Sequence, residues 1–382
     1  RLPGHYNAIA VPEYSWLDDH TYGPLDVFLD ERDPDESRRY KTLIQNGRMF
    51  TSPDGFHWMD SGIQTFQSPG DLGSDTDNHI RYNPQTRRYQ IMHRPGHWDR
   101  RVAITESEVN DPTRWSERRR IVLSPDVLDP ACHQFQGFPY YPYEDMWIGW
   151  LQHFDCRIEE REDRRKTHQK FHEELCYSHD GLYWQRTRHT FFPKPDPPNY
   201  GAGFLNSRNI IDEGGFLRIY SAGSIGFAGR GAEPPKRALD YGLDAERLTL
   251  VWEMRKDGFC YLQPKAGYGR LWTRGIVPQD DDFTVNVLAP YGWLKMQLTD
   301  ENNEPLPGFS FEEFEPITGD HVAARPRWEN ADLSDAVGRW LRIDMEFCDA
   351  RLYAFRWNAK LAYGNDGNAK MGYRDDYTFD SL

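Results

Sequence analysis

Three aspartates have the residue type and spacing for acid–base chemistry. Asp75 and Asp77 lie two residues apart, just ahead of the strand-like run His79-Ile-Arg-Tyr82. On an extended backbone both would face the same side. Their like charges would raise one pKa and set a proton donor beside a base. A shared metal or water network is the other common use of carboxylates placed so close, and Asp77 could instead cap the strand start. Asp26, within Leu25-Asp-Val-Phe-Leu29, is the third candidate; the plainer reading is a buried, hydrogen-bonded strand aspartate.

Around these acids stand residues suited to holding a polar ligand. Arg94, His97 and Trp98 follow a second strand of the same segment. An indole face suits stacking on a ring, and an arginine can hold a hydroxyl or a carboxylate, although rim packing would also account for them. His133 and Gln136 open a third segment, and Asn206 and Arg208 lie on the first strand of a fourth.

Other chemistries are poorly served. There is no His-Glu-x-x-His run and no Cys/His cluster, so no metal ligand set is expected. Gly226-Phe-Ala-Gly-Arg-Gly231 is followed by Pro234-Pro235 instead of a phosphate-binding helix, and reads as a loop. Five cysteines are scattered without a Cys-x-x-Cys pair, leaving Cys156 to Cys176 as the one bridge to consider. A formal charge of −14 argues against a nucleic-acid partner. No run approaches the length of apolar residues that a membrane span needs. The start, Arg1-Leu-Pro-Gly-His5, lacks both Met and a leader pattern and reads as processed or trimmed. A soluble protein is expected, with the compartment left open and the cytoplasm placed ahead of secretion.

The elements that must position these residues are strands. Thirteen Trp, 21 Tyr and 21 Phe favour strands, and short aromatic and β-branched runs alternate with Gly, Pro, Asn and Asp. The runs repeat over residues 23–62, 77–120 and 135–190, with a fourth unit from Gly203 to Trp252. Ser52-Pro-Asp-Gly-Phe-His-Trp58 and Ser178-His-Asp-Gly-Leu-Tyr-Trp184 mark two unit ends, and a degraded version ends near Trp115. Asp-Gly supplies a tight turn, after which the Trp can fold back to seal one unit against the next. Radial repetition of four-stranded units predicts a β-propeller over 1–254. Alternating runs then predict a β-sandwich over 255–358, with a tail at 359–382. Residues 157–173 form a charge-dense insertion in the third unit: a solvated hairpin extension, a flap over the substrate mouth, or a subunit contact.

The chain resembles the five-bladed β-propeller glycoside hydrolases, the group containing families 43, 32 and 117, and more closely a branch with a C-terminal β-sandwich. The resemblance rests on Asp30 with Arg39-Tyr-Lys41, on Ser52 to Trp58, on Ser74-Asp-Thr-Asp-Asn78, and on Tyr143-Glu-Asp-Met-Trp-Ile-Gly149. It continues through Tyr177 to Trp184, Arg255-Lys-Asp-Gly-Phe259, and Leu306-Pro-Gly-Phe-Ser310 through Asp320. It implies a hydrolase of oligosaccharide or polysaccharide ends, with one protonated and one ionised carboxyl group from inner strands. Asp77, Asp75 and Asp26 are then the catalytic candidates, while Asp54 and Asp180 belong to outer turns. Two departures stand out: Asn199-Tyr-Gly-Ala-Gly203 replaces an expected Trp-Asp-Ser-Gly, and Gln136-Gly137 replaces an expected Glu-Gly. The general acid would then be Asp75, Glu174 or a residue of the insertion. The alternatives are a non-catalytic carbohydrate-binding propeller, which the departures favour, and a glycoside phosphorylase with Arg94 or Arg208 as anion clamp. A carbohydrate is the expected partner, a homo-oligomer is considered, no cofactor is required, and calcium would be structural.

Overall fold

The computed structural model describes residues 26–44, 46–66, 78–96, 100–131, 133–158, 167–196, 198–225, 242 and 247–362. The chain divides into two compact units, residues 1–211 with 218–252, and 212–217 with 253–382. Both are built of strands, with 3-10 turns at Glu36–Arg38 and Leu333–Ala336. Among the described residues no helix is long and apolar enough to cross a membrane.

Four antiparallel sheets follow one another along the first unit. Strands β1 (Val27–Leu29), β2 (Tyr40–Leu43), β3 (Arg48–Ser52) and β4 (Met59–Gln64) pair in chain order, as do β5 (His79–Asn83), β6 (Arg88–His93), β7 (Val102–Val109) and β8 (Asp111–Leu123). In the third sheet β10 (Tyr140–Tyr143), β11 (Met146–Ile158), β12 (Thr167–Ser178) and β13 (Gln185–Thr190) pair in order, and β9 (His133–Gly137) also pairs with β11. The fourth holds β14 (Phe204–Asp212), β15 (Phe216–Ser224) and β16 (Arg247–Arg255).

Burial changes across each of the first three sheets. The middle strands β3 and β6 are buried almost throughout, whereas the last strands β4 and β13 are mostly exposed. Continuous burial without alternation means that both faces of these strands are covered. The polar Asp30 and Lys41, part of the family-like pattern, serve this packing. Buried Lys41 pairs Asp30 at 2.7 Å and Asp33 at 2.8 Å, and the Tyr89 hydroxyl of the second sheet donates to Asp30 at 2.8 Å.

Both Ser-x-Asp-Gly-x-x-Trp elements are turns closed by side chains. The Asp54 carboxylate accepts from the Phe56 and His57 amides at 2.8 Å, and Asp180 does the same for Leu182 and Tyr183. Only the glycines take positive φ, +79° at Gly55 and +71° at Gly181. Trp58, wholly buried, clusters with Ile44, Phe50, Val27 and Tyr40, while Trp184 packs against a cluster that joins Met92, Val102 and Ile104 of the second sheet to Phe135, Tyr140 and Leu151 of the third. A hydrogen bond at the second turn adds to this link, Asn83 Nδ2 of the second sheet donating to the Asp180 carbonyl at 2.7 Å.

Cys156 and Cys176 are not bridged, since Cys176 is a buried free thiol. Strand register explains this. Cys176 faces Gly149 and Cys156 faces Gln169, so seven residues, roughly 23 Å at 3.3 Å per residue, separate them along β11. The same register carries the 157–173 insertion as a continuing hairpin as far as the pair Ile158 and Thr167.

In the second unit β17 (Tyr268–Trp272), β18 (Ile276–Pro278), β19 (Thr284–Thr299), β20 (Ile317–Ala324), β21 (Arg342–Cys348), β22 (Arg351–Arg356) and β23 (Ala359–Leu361) follow in turn. The main sheet runs β17-β21-β19-β20 with β22 also on β19, and β18 pairs β23. The runs around Val285 and Met296, separate in the sequence pattern, are two halves of one 16-residue strand. Its first half pairs β22 and its second half β21. Val285, Val287, Leu294, Met296, Leu298, Ile343 and Met345 form the centre of this unit's core.

Candidate active site

The first residues of the early strands meet in a buried polar cluster. Asp26, immediately before β1, is 5% exposed. Arg81 grips its carboxylate from β5, Nη1 to Oδ2 at 2.6 Å and Nη2 to Oδ1 at 3.1 Å. His79 lies two residues earlier on β5, on the same side of the pleat, and brings Nδ1 within 3.2 Å of Oδ2. Burial by itself would raise the pKa of Asp26, but the Arg81 charge and the contacts to His79 hold it well below the usual carboxylate range.

The third and fourth sheets complete the cluster. The Arg81 guanidinium lies 4.8 Å over the Tyr141 ring of β10, and the Tyr141 hydroxyl accepts from the Asn209 amide at 2.8 Å. Arg208 of β14 approaches His79 Nε2 at 3.2 Å, and its charge also acts on Tyr141 and on Glu173 of β12. Glu173 is fully buried. It accepts the Ser207 amide at 2.7 Å and the Ser207 hydroxyl, which in turn meets Ser221 at 2.6 Å, where Trp252 Nε1 donates at 2.9 Å. Burial pushes Glu173 up to about 7 against the pull of the Ser207 donors and Arg208.

The opposite face of the third sheet carries a second polar group. Gln152 and Glu173 are cross-strand partners on one face, and His153 and His172, one residue along, are partners on the other. His133 of β9 joins them, and the ligand nitrogens of His133, His153 and His172 all lie within 4.8 Å of one another. The sequence shows no Cys/His cluster because these histidines come from three separate strands. His153 Nε2 meets Glu174 Oε2 at 2.7 Å, and Arg186 of β13 bridges Glu174 and Asp129, each at 2.7 Å. Burial would raise Glu174, but the bonds from His153 and Arg186 bring it down to about 2.

The other sequence candidates fall as follows. Asp75, Asp77, His97 and Trp98 lie outside the described residues. Arg94 is 1% exposed, a buried group and not one on an open rim. Gln136 accepts a hydrogen bond from Arg100, and Asn206 accepts one from Gln152 at 2.5 Å. His79, Arg81, Glu173, His153 and His172 were not singled out from sequence. Alternation along β5 could have flagged His79 with Arg81, and the hairpin register could have paired His153 with His172.

No family model and no curated relative matches the chain. Several solved structures are similar to it, glycoside hydrolases of families 43 and 32 among them. A structure of a BT0996 RGII complex has 11% identity and a TM-score of 0.38, over 56% of this chain and 61% of that one. A thermostable family-43 glycoside hydrolase has 10% identity and a TM-score of 0.38, over 64% and 72%. The Bombyx mori family-32 β-fructofuranosidase BmSUC1 has 10% identity and a TM-score of 0.34, over 87% and 75%. The protein thus spans about three fifths of the first of these structures. Likenesses of this size carry no argument about activity.

Proposed function

We propose that this chain is a glycoside hydrolase acting on the end of an oligosaccharide or polysaccharide. On this reading the four sheets belong to a five-bladed β-propeller, and the second unit is a β-sandwich. Support for the propeller comes from the passage in the first three sheets from buried strands to an exposed last strand. The observation that carries the functional reading is the convergence of Asp26, His79, Arg81, Tyr141, Glu173 and Arg208 from four successive sheets. Sugar hydrolysis needs one ionised and one protonated carboxyl group. Asp26, kept anionic by Arg81, takes the part of base or nucleophile, and buried Glu173 takes that of acid. Asp77 and Asp75, two and four residues ahead of His79, are the further catalytic candidates. Arg208, Asn206 and Trp98 would hold the sugar.

A panel of aryl glycosides, including furanosides and anhydro-galactosides, tests the reading. Turnover by the intact protein that falls about 10²–10⁴-fold in each of Asp26→Asn, Glu173→Gln and Asp77→Asn supports it. Full-rate variants would reject the assignments. One observation favours a second reading, a carbohydrate-binding protein without turnover: both Asp26 and Glu173 are almost wholly enclosed by their own partners. Measurable glycan binding with unchanged glycan after prolonged incubation would select it.

A further inference from the structure

We propose that His133, His153 and His172 form a binding site for a nitrogen-preferring divalent transition-metal ion of the zinc class. The three imidazoles come from β9, β11 and β12 and share one face of the third sheet, opposite the face that bears Glu173. Their ligand atoms lie within 4.8 Å of one another. Zinc–nitrogen bonds of about 2.0–2.1 Å would draw them to roughly 3.3 Å apart in tetrahedral geometry.

The independent observation is at His153, which is 4% exposed. Its Nε2 faces Glu174 at 2.7 Å, and Arg186 approaches the same nitrogen at 3.4 Å. Its Nδ1 is buried and has no hydrogen-bond partner. An orphaned buried ring nitrogen is costly, and coordination to a metal ion would satisfy it. Glu174, fixed by Arg186 and through it by Asp129, is the carboxylate that orients metal-bound histidines and raises their basicity.

His172 stacks on His153 with centroids 4.4 Å apart and planes 12° from parallel. An ion in the plane of both rings therefore needs one of them to turn. His172 is the one able to do so, being half-buried and held by ring contacts alone. A set of three nitrogens suits zinc, cobalt, nickel or copper, whereas calcium and magnesium take oxygens. Three protein ligands leave a fourth position for water or another small ligand.

The test uses the full chain after chelator treatment, titrated with zinc by calorimetry and with cobalt by visible absorption. The expected result is a one-to-one complex with tetrahedral cobalt bands, a zinc-dependent rise in melting temperature, and no response to calcium. His172→Ala, which removes a half-buried ring with no hydrogen bond, should keep the circular dichroism spectrum and lose the complex. His133→Ala should do likewise, and Glu174→Gln should weaken affinity by about 10–100-fold. Absence of a stoichiometric complex in the intact protein, or a complex unchanged in both alanine variants, overturns the site. Neither outcome bears on the glycosidase reading, which uses the other face of the sheet.

Discussion

Arg81 and Asp26, fifty-five residues apart in the chain, form a two-point buried ion pair joining the first and second sheets. Removing one partner of such a pair strands a charge in a dry interior, at about 3–5 kcal/mol. Arg81→Met should therefore lower the free energy of urea unfolding by that order, and Asp26→Asn should do so as well. The double variant should cost less than the sum of the two. Acid adds a second readout. The folded pKa of Asp26 is depressed, so its contribution is complete above the unfolded value of about 3.9 and disappears as the pH falls below it. Asp26→Asn should flatten that acid limb.

Ser207 gives Glu173 both an amide and a hydroxyl hydrogen bond. Ser207→Ala keeps the amide and deletes the hydroxyl, leaving a buried carboxyl oxygen short of a partner. A cost of about 1–3 kcal/mol is expected in equilibrium unfolding. Ser221→Ala, one step further from Glu173, should cost less.

His93 reports on pH in another place. Its ring stacks on Phe66 at 4.0 Å, Nδ1 donates to the Arg94 carbonyl at 2.7 Å, and Nε2 accepts from Thr105 at 2.8 Å. Burial pushes it down to about 4, with Arg119 adding to the effect and the Arg94 carbonyl opposing it. The unfolded chain takes a proton near pH 6.5 that the folded one refuses. Stability is therefore full above 6.5 and falls toward pH 4, by up to about 1.4 kcal/mol per pH unit. Unfolding measured across that window should show a shallower slope in His93→Gln, and an identical slope would remove His93 from the account.

The two Asp-Gly turns should differ under one substitution. Alanine at Gly55 meets nothing nearer than the Tyr40 ring, at an ordinary 3.6 Å, and suffers chiefly from the positive φ, a cost of about 1–2 kcal/mol. At Gly181 the added Cβ would also lie 3.0 Å from Asn83 Nδ2 and 3.1 Å from the Trp147 ring, inside the contact to the second sheet. Thermal unfolding should show Gly181→Ala as the more damaging.

Local chemistry wrote much of this molecule into its sequence. The short aromatic and β-branched runs foretold the strands, and Ser-x-Asp-Gly-x-x-Trp foretold turns whose Asp and Gly act through neighbours two or three residues away. Asp26 was legible too, as an acid at a strand start. What it touches was not. Arg81 and His79 reach it, and Arg208 reaches His79, only because separate sheets bring their first strands together, and no local pattern encodes that meeting. The three histidines make the same point: 133, 153 and 172 look unrelated along the chain until the register sets 153 opposite 172 and β9 beside both. Periodicity fixes which way a side chain points relative to its own strand. Which groups share a cavity, and so which carboxyl groups keep or lose their protons, depends on desolvation and charges supplied by distant segments, and only the tertiary structure decides it.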